Sequence, residues 1–149
     1  MSTLIIEKAK LKNLKDLIYL LFDDDLGKDR ENISETSFNN YKKSFMKILN
    51  DTNNEIFIMV LNDQIIGMMQ LTFIPGLSME GMTRCQIESV RIKKDYRNKG
   101  YGSELMKKGI EIAKLNKCGL IQLTSNKERL KAINFYKKSR SRTVRCAFK

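Results

Sequence analysis

The sequence predicts an α/β (α+β) fold: a mixed central sheet of about six or seven strands flanked by four helices, in the order β-α-α-β-β-β-α-β-α-β. Three observations lead there. Two apolar stripes at helical spacing fill the first third of the chain, and a hairpin pattern surrounds Asn62-Asp63. A strand, a glycine turn and a helix then follow one another from Thr83 to Leu115.

Leu4 to Lys8 reads as the first strand. Leu11, Leu14, Leu17, Ile18, Leu21 and Phe22 recur at helical spacing and stop at Asp23-Asp24-Asp25 and Gly27. Residues 23–35 are polar and acidic, the composition of a loop. Ser34 is placed to cap a second helix striped by Phe38, Tyr41, Phe45, Ile48 and Leu49, which ends at Asn50 to Asn54. Glu55 to Leu61 and Gln64 to Ile74 form two strands about the Asn62-Asp63 turn. Pro75-Gly76 opens a loop to Met82, and Thr83 to Ile92 is the strand before the glycine turn. Gly100 to Leu115 is a helix, Leu120 to Thr124 a short strand, Arg129 to Lys138 a helix and Thr143 to Phe148 a last strand. The strands are apolar almost throughout, as expected where helices cover both faces. No repeat, linker or low-complexity stretch interrupts them, so residues 1–149 read as one domain.

The glycine turn carries the chemistry. In Arg97-Asn98-Lys99-Gly100-Tyr101-Gly102-Ser103 a helix opens on glycines, which let a ligand approach backbone N–H groups that have no helix acceptor. The helix dipole favours negative charge there, and Arg97 and Lys99 add positive charge. A phosphate or pyrophosphate suits that arrangement. The Walker pattern Gly-x-x-x-x-Gly-Lys-Ser/Thr is absent, and the third glycine of a dinucleotide fingerprint is replaced by Leu105.

Charge and composition bound the rest. Residues 1–54 carry nine Lys/Arg and nine Asp/Glu, whereas residues 55–149 carry nineteen and eight, which is the whole net charge of +11. A polyanionic ligand explains that excess, as would nucleic acid or a merely solvated basic surface. No apolar run approaches the ~20 residues of a membrane span, and no secretory signal is visible at the N-terminus. Cys85, Cys118 and Cys146 are widely spaced and odd in number, which fits a reducing cytoplasm. The chain has no histidine, so Ser-His-Asp, Cys-His and His-based metal sites are excluded. A Cys85 or Cys118 acyl-enzyme is conceivable, although both cysteines read as packing residues.

The element order, the Arg97-x-x-Gly100-x-Gly102 turn and the segment Asn134-Phe135-Tyr136-Lys137-Lys138 together resemble the GNAT N-acetyltransferase superfamily. Ile87-Glu88-Ser89-Val90-Arg91-Ile92 with Tyr96-Arg97 and Gly100-Tyr101-Gly102-Ser103-Glu104 is similar to spermidine/spermine N-acetyltransferases. Leu71 to Ser78, with Gln122-Leu123-Thr124, resembles small bacterial aminoalkylphosphonate-type acetyltransferases. The resemblance implies acetyl-coenzyme A as cosubstrate, no metal, and transfer of its acetyl group to a primary amine. It assigns the cosubstrate to Val90, Ile92, Arg97, Asn98, Lys99, Gly100, Tyr101, Gly102, Ser103 and Asn126. It matches Glu88 to a general base and Tyr136 to the tyrosine near the coenzyme sulfur. The partners it implies are a small-molecule amine and a second copy of the chain, without a membrane or a specific nucleic acid. Ser139 to Lys149 departs from the pattern, because the usual Gly-Phe before a pair of closing strands is missing and Arg140, Arg142 and Arg145 appear instead.

An alkyl amine with a pKa near ~10 is protonated at neutral pH and must lose that proton before it attacks a thioester. Glu88, the sole acid between Gly81 and Lys94, suits that task; it is equally placed to be a strand carboxylate paired with Arg84 or Arg91. The N–H of Val90 or Ile92 would hold the thioester carbonyl, and the Tyr136 hydroxyl would protonate the departing thiolate. Tyr136 also fits as a half-buried core tyrosine beside Phe135. Asp23, Asp24 and Asp25 would line an acceptor wall able to attract a polyamine, or simply form a solvated helix end. An aminoalkyl compound, an aminoglycoside and a protein amine stay open as acceptors. Two rivals stand beside this: a basic nucleic-acid-binding module, for which only Tyr96 and Tyr101 lie outside apolar stripes, and a coenzyme-binding relic without catalysis.

Overall fold

The computed structural model describes residues 2–125 and 144–148, with residues 124, 125 and 144–148 as backbone. Six strands, β1 (Leu4–Lys8), β2 (Asn54–Leu61), β3 (Gln64–Pro75), β4 (Thr83–Ile92), β5 (Leu120–Ser125) and β6 (Val144–Phe148), form one sheet in sequence order. The first four are antiparallel, and the β4/β5 and β5/β6 pairs are parallel. Asn62 and Asp63, at φ +47° and +64°, make the two-residue turn between β2 and β3, a left-handed conformation that Asn and Asp tolerate best after glycine. The expected hairpin is therefore present. A single strand, β6, closes the sheet among the described residues, at its edge and parallel to β5. The helix expected over 129–138 lies outside the described residues.

Helices α1 (Leu14–Phe22), α2 (Gly27–Arg30), α3 (Glu35–Leu49), α4 (Ser78–Gly81) and α5 (Tyr101–Leu115) flank the sheet. Three of them match expected helices. The Ser34 hydroxyl accepts from the Ser37 N–H at 3.3 Å and caps α3, as its position suggested. The extra two are single turns inside expected loops, and α4 holds Met79 and Glu80 at positive φ. The Tyr41 hydroxyl donates to Glu31 and accepts from the Asn32 N–H, fastening the loop before α3; burial and the Glu31 hydrogen bond raise its pKa.

Two cores hold the layers together. Met59, Met69, Leu71, Cys85, Ile87, Leu105, Met106 and Ala113 join the sheet to α5, whereas Leu14, Leu17, Ile18, Phe45, Ile58 and Met68 join it to α1 and α3. Each large side chain so buried stabilises by about 1.5–3 kcal/mol. An exposed pair such as Lys107–Glu104 contributes about 0–1 kcal/mol, so the cores hold the fold. Gly109 sets the spacing of α5, since a Cβ there would lie 3.2 Å from both Ile87 Cδ1 and Met69 Sδ.

The expectation of uniformly covered, apolar strands needs correction. Cys85 and Ile87 face the α5 core, but their neighbours Gln86 and Glu88 face the other side and are only half-buried. Both faces of the antiparallel half carry a core, and only the stretch of the α1/α3 face around Gln70, Thr72, Gln86 and Glu88 is polar and half-buried.

Candidate active site

The site begins with a bulge. Across β3 and β4, Glu88 pairs with Gln70 and Arg91 with Met68, so Ser89 and Val90 together oppose Met69. Ser89 sits at φ +53°. The extra residue shifts the alternation, so that Val90 and Ile92 pack on the α5 side with Ile87, three residues away from Val90 rather than two. A bulge also bends its strand. Pairing of β4 with β5 stops at Ile87–Leu123, yet β4 continues to Ile92 and β5 to Ser125. The two parallel strands thus part at Glu88, and from there to Ile92 the β4 edge facing β5 has no ladder partner among the described residues.

The turn beyond β4 comes next along the chain. A 3₁₀ turn, Lys94–Tyr96, precedes Arg97, then Asn98 at φ +61° and Gly100 at φ +87°. A Cβ on Gly100 would meet nothing within 4 Å, so glycine is needed there for its left-handed backbone and not for space. The first helical hydrogen bond of α5 runs from the Glu104 N–H to the Gly100 carbonyl at 3.1 Å. The N–H groups of Tyr101, Gly102 and Ser103 are left without helix acceptors at the positive end of a 15-residue helix. Gly100, Lys99 and Asn98 are exposed, and Tyr101, Gly102 and Ser103 are half-buried. These are the N–H groups that the sequence reading offers to an anion.

One expected ligand has another occupation. The Arg97 guanidinium donates from Nε to the Ile92 carbonyl at 2.9 Å and from Nη2 to the Asp23 carbonyl at 3.2 Å, with the Asp23 carboxylate 3.9 Å away. Asp23 also accepts from the Lys94 N–H at 3.1 Å. Asp24 lies 3.9 Å from Arg91 Nε and accepts from the Gly27 N–H at 3.2 Å. A Cβ on Gly27 would stand 1.9 Å from the Leu21 carbonyl oxygen, so this loop closes only on glycine. Asp23 and Asp24 are thus both paired, while the half-exposed Asp23 also stands with Asp16 and Asp95 in the wall of a cavity of about 530 Å³. They clasp the end of α1 to the end of β4, and only Asp25 of the three stays exposed.

Glu88 is in none of the ion pairs among the described residues, so the pairing expected with Arg84 or Arg91 is not made there. It stands on the α1/α3 side of β4 where the strands part. Tyr136 and Asn126 lie outside the described residues. Tyr96 and Tyr101 stack edge to face with centroids 6.1 Å apart against the α5 core, Tyr96 donates to Gln64 at 2.9 Å, and Lys99 lies 5.8 Å over its ring. They form no exposed stacking platform. Among the described residues no group of three or more His, Cys, Asp or Glu could hold a metal ion, and no helix is long and apolar enough to cross a membrane.

The thiols are quiet. Burial pushes the Cys85 pKa up to about 12, with the neighbouring Cys118 and Glu55 adding to it, and burial raises that of Cys118 as well. Both stay protonated near neutrality, where a nucleophile has to be thiolate. Iodoacetamide at pH ~8 should therefore leave Cys85 of the native protein unmodified by intact mass, against an ordinary thiol pKa of about 8.5. Rapid labelling at Cys85 would reopen the acyl-enzyme route.

Comparison with known proteins follows the same lines. The model of the Acetyltransferase (GNAT) family matches residues 14–140. A crystal structure of a transcriptional regulator from Bacillus halodurans C-125 is similar at 36% identity over 94% of this chain and 93% of that one, with a TM-score of 0.89. A putative acetyltransferase from Agrobacterium tumefaciens str. C58 shares 19% identity over 93% of each chain, with a TM-score of 0.77. A Clostridium acetobutylicum predicted acetyltransferase, solved with acetyl-CoA, shares 18% over 90% of this chain and 88% of that one, at a TM-score of 0.71. The last two speak for the fold alone. A comparison with curated proteins finds no match.

Proposed function

The chain belongs to the GNAT acetyltransferase family and is an N-acetyltransferase with acetyl-coenzyme A as its cosubstrate, and from that premise we propose that it acetylates the primary amine of a small molecule by direct attack. The observation that carries this reading is the parting of β4 and β5 at Glu88, followed along the chain by the free N–H groups that open α5. The pyrophosphate would lie on the N–H groups of Tyr101, Gly102 and Ser103, with Lys99, Asn98 and Gly100 beside it. Arg97 contributes by holding the turn through Ile92 and Asp23, and its positive charge still acts at that end.

The N–H groups of Val90 and Ile92, on the β4 strand edge, would hold the thioester carbonyl, a reading that the end of the β4/β5 ladder at Ile87 supports. Glu88, on the opposite face from the α5 core, removes the amine proton directly or through a water. The amine then attacks the carbonyl carbon, the C–S bond breaks, and the thiolate leaves with a proton supplied by Tyr136 in the role its resemblance assigns. Inert thiols favour this route over a cysteine-bound acetyl. A cytoplasmic homodimer belongs to the same reading.

Nucleic-acid binding is the second reading, favoured by the likeness to the Bacillus halodurans transcriptional regulator and by the net charge of +11. The pairing of Tyr96 with Tyr101 speaks against it. A thermal-shift series with acetyl-coenzyme A, coenzyme A, ATP and an oligonucleotide separates the two, since a ligand of the folded state raises the midpoint by mass action. Acetyl-coenzyme A should give the largest rise. Any oligonucleotide effect should fade steeply with salt, as counterion release requires. Tight, sequence-dependent binding at ~0.15 M salt would favour the second reading.

A further inference from the structure

The half-buried face beside Glu88 has an unusual composition. Asn54, Thr72, Gln86 and Gln122 stand opposite one another in register across β2, β3, β4 and β5, and Gln70 pairs with Glu88 one step along. All six are partly buried. Asparagine and glutamine are poor strand formers, and burying their amides costs stability unless they are hydrogen-bonded. Gln70 donates to Asn54 at 2.9 Å and Thr72 to Asn54 at 3.5 Å. Among the described residues, the side chains of Gln86, Gln122 and Glu88 make no hydrogen bond.

Helices α1 and α3 cover the sheet around Ile58 and Met68, and among the described residues no helix packs over this row. A groove of about 350 Å³ between the end of α3 and β1–β2 has Asn54 in its wall. From Asn54 to Glu88 is two strand spacings of ~4.8 Å and one two-residue step of ~3.3 Å per residue, roughly 12 Å in all.

Taking the acetyltransferase reading as its basis, we infer that this row recognises the body of the acceptor, and that the acceptor is a single amine on a neutral frame rich in hydroxyl or amide groups. Amide side chains both donate and accept, which matches hydroxyls and amides and offers nothing specific to a second ammonium. The row contains one carboxylate, Glu88, sufficient for one ammonium ion. Asp23 and Asp24 are bound to Arg97, Arg91 and backbone N–H groups, and the cavity that Asp23 lines with Asp16 and Asp95 includes none of the row's residues. A polyamine entering here would strip water from a cation and give it no partner. The composition selects against it.

The test measures thiol release at saturating acetyl-coenzyme A with glucosamine, n-hexylamine and spermidine, in wild type and in Gln86→Leu, Gln122→Leu and the double variant. Calorimetric binding of acetyl-coenzyme A is followed in parallel. The glucosamine-to-hexylamine ratio of kcat/KM should fall by tenfold or more from wild type to the double variant, a change that the lower basicity of glucosamine's amine cannot produce because it is the same for both proteins. The double variant's thermal midpoint should hold or rise, because leucine suits a half-buried strand better than glutamine does. A preference for spermidine, or a ratio untouched by the leucines, overturns the inference. Acetyl-coenzyme A binding with no turnover of glucosamine overturns it too and leaves the cosubstrate site standing, whereas absence of acetyl-coenzyme A binding removes the reading beneath it.

Discussion

Glu88→Gln should lower acetyl transfer at neutral pH by about 10²–10⁴-fold, the usual range for losing a general base. The substitution keeps the shape of the side chain and its place on β4 opposite Gln70, so the sheet should remain intact. Raising the pH toward ~10 should return part of the lost rate, since more of the amine is then already neutral. Loss of the Tyr136 hydroxyl should look different: Tyr136→Phe should keep coenzyme affinity while turnover falls, with no gain at high pH from amine deprotonation. Steady-state rates across pH ~6 to ~10, with acetyl-coenzyme A affinity measured alongside, separate the two patterns. A Glu88→Gln enzyme with the wild-type pH profile would move the proton path to a water or to the backbone.

The second large effect is expected at the glycine turn. Gly102→Glu should bring acetyl-coenzyme A affinity below a Kd of ~1 mM, which leaves about 4 kcal/mol or less of binding. It sets a negative side chain among the N–H groups that would receive the pyrophosphate, replacing attraction by repulsion. The helix itself should tolerate the change. Glu is favourable in the first turn of a helix, where Glu104 already stands. A folded Gly102→Glu protein with unchanged affinity by isothermal titration would place the cosubstrate elsewhere. Circular dichroism and the thermal midpoint confirm folding in the same samples.

Much of the fold was legible because it follows local rules. The bounds of β1 and β4, the cap at Ser34, the turn at Asn62-Asp63 and the start of α5 at Gly100 all depend on residues adjacent in sequence. The Arg97-x-x-Gly100-x-Gly102 pattern likewise announces free N–H groups at a helix start, whatever packs around it. Gln70 and Thr72, and Gln86 and Glu88, even show the period of two that marks a wet strand face. That signal was present and was outweighed by the apolar residues between them.

What the chain alone determined, then, is the order of the described strands and long helices and the free N–H groups opening α5, because both arise from periodicity, capping and backbone freedom within a few residues. Tertiary structure decided the rest of the site. Ser89 carries no glycine-like mark of its positive φ, and its bulge exists only because β3 offers one residue, Met69, against two. Arg97 and Asp23 are 74 positions apart, and which carboxylate the arginine meets depends on how α1 packs over the end of β4. The roles of charged side chains follow from such long-range neighbours, since Coulomb attraction and hydrogen bonding act across space and leave no pattern along the chain.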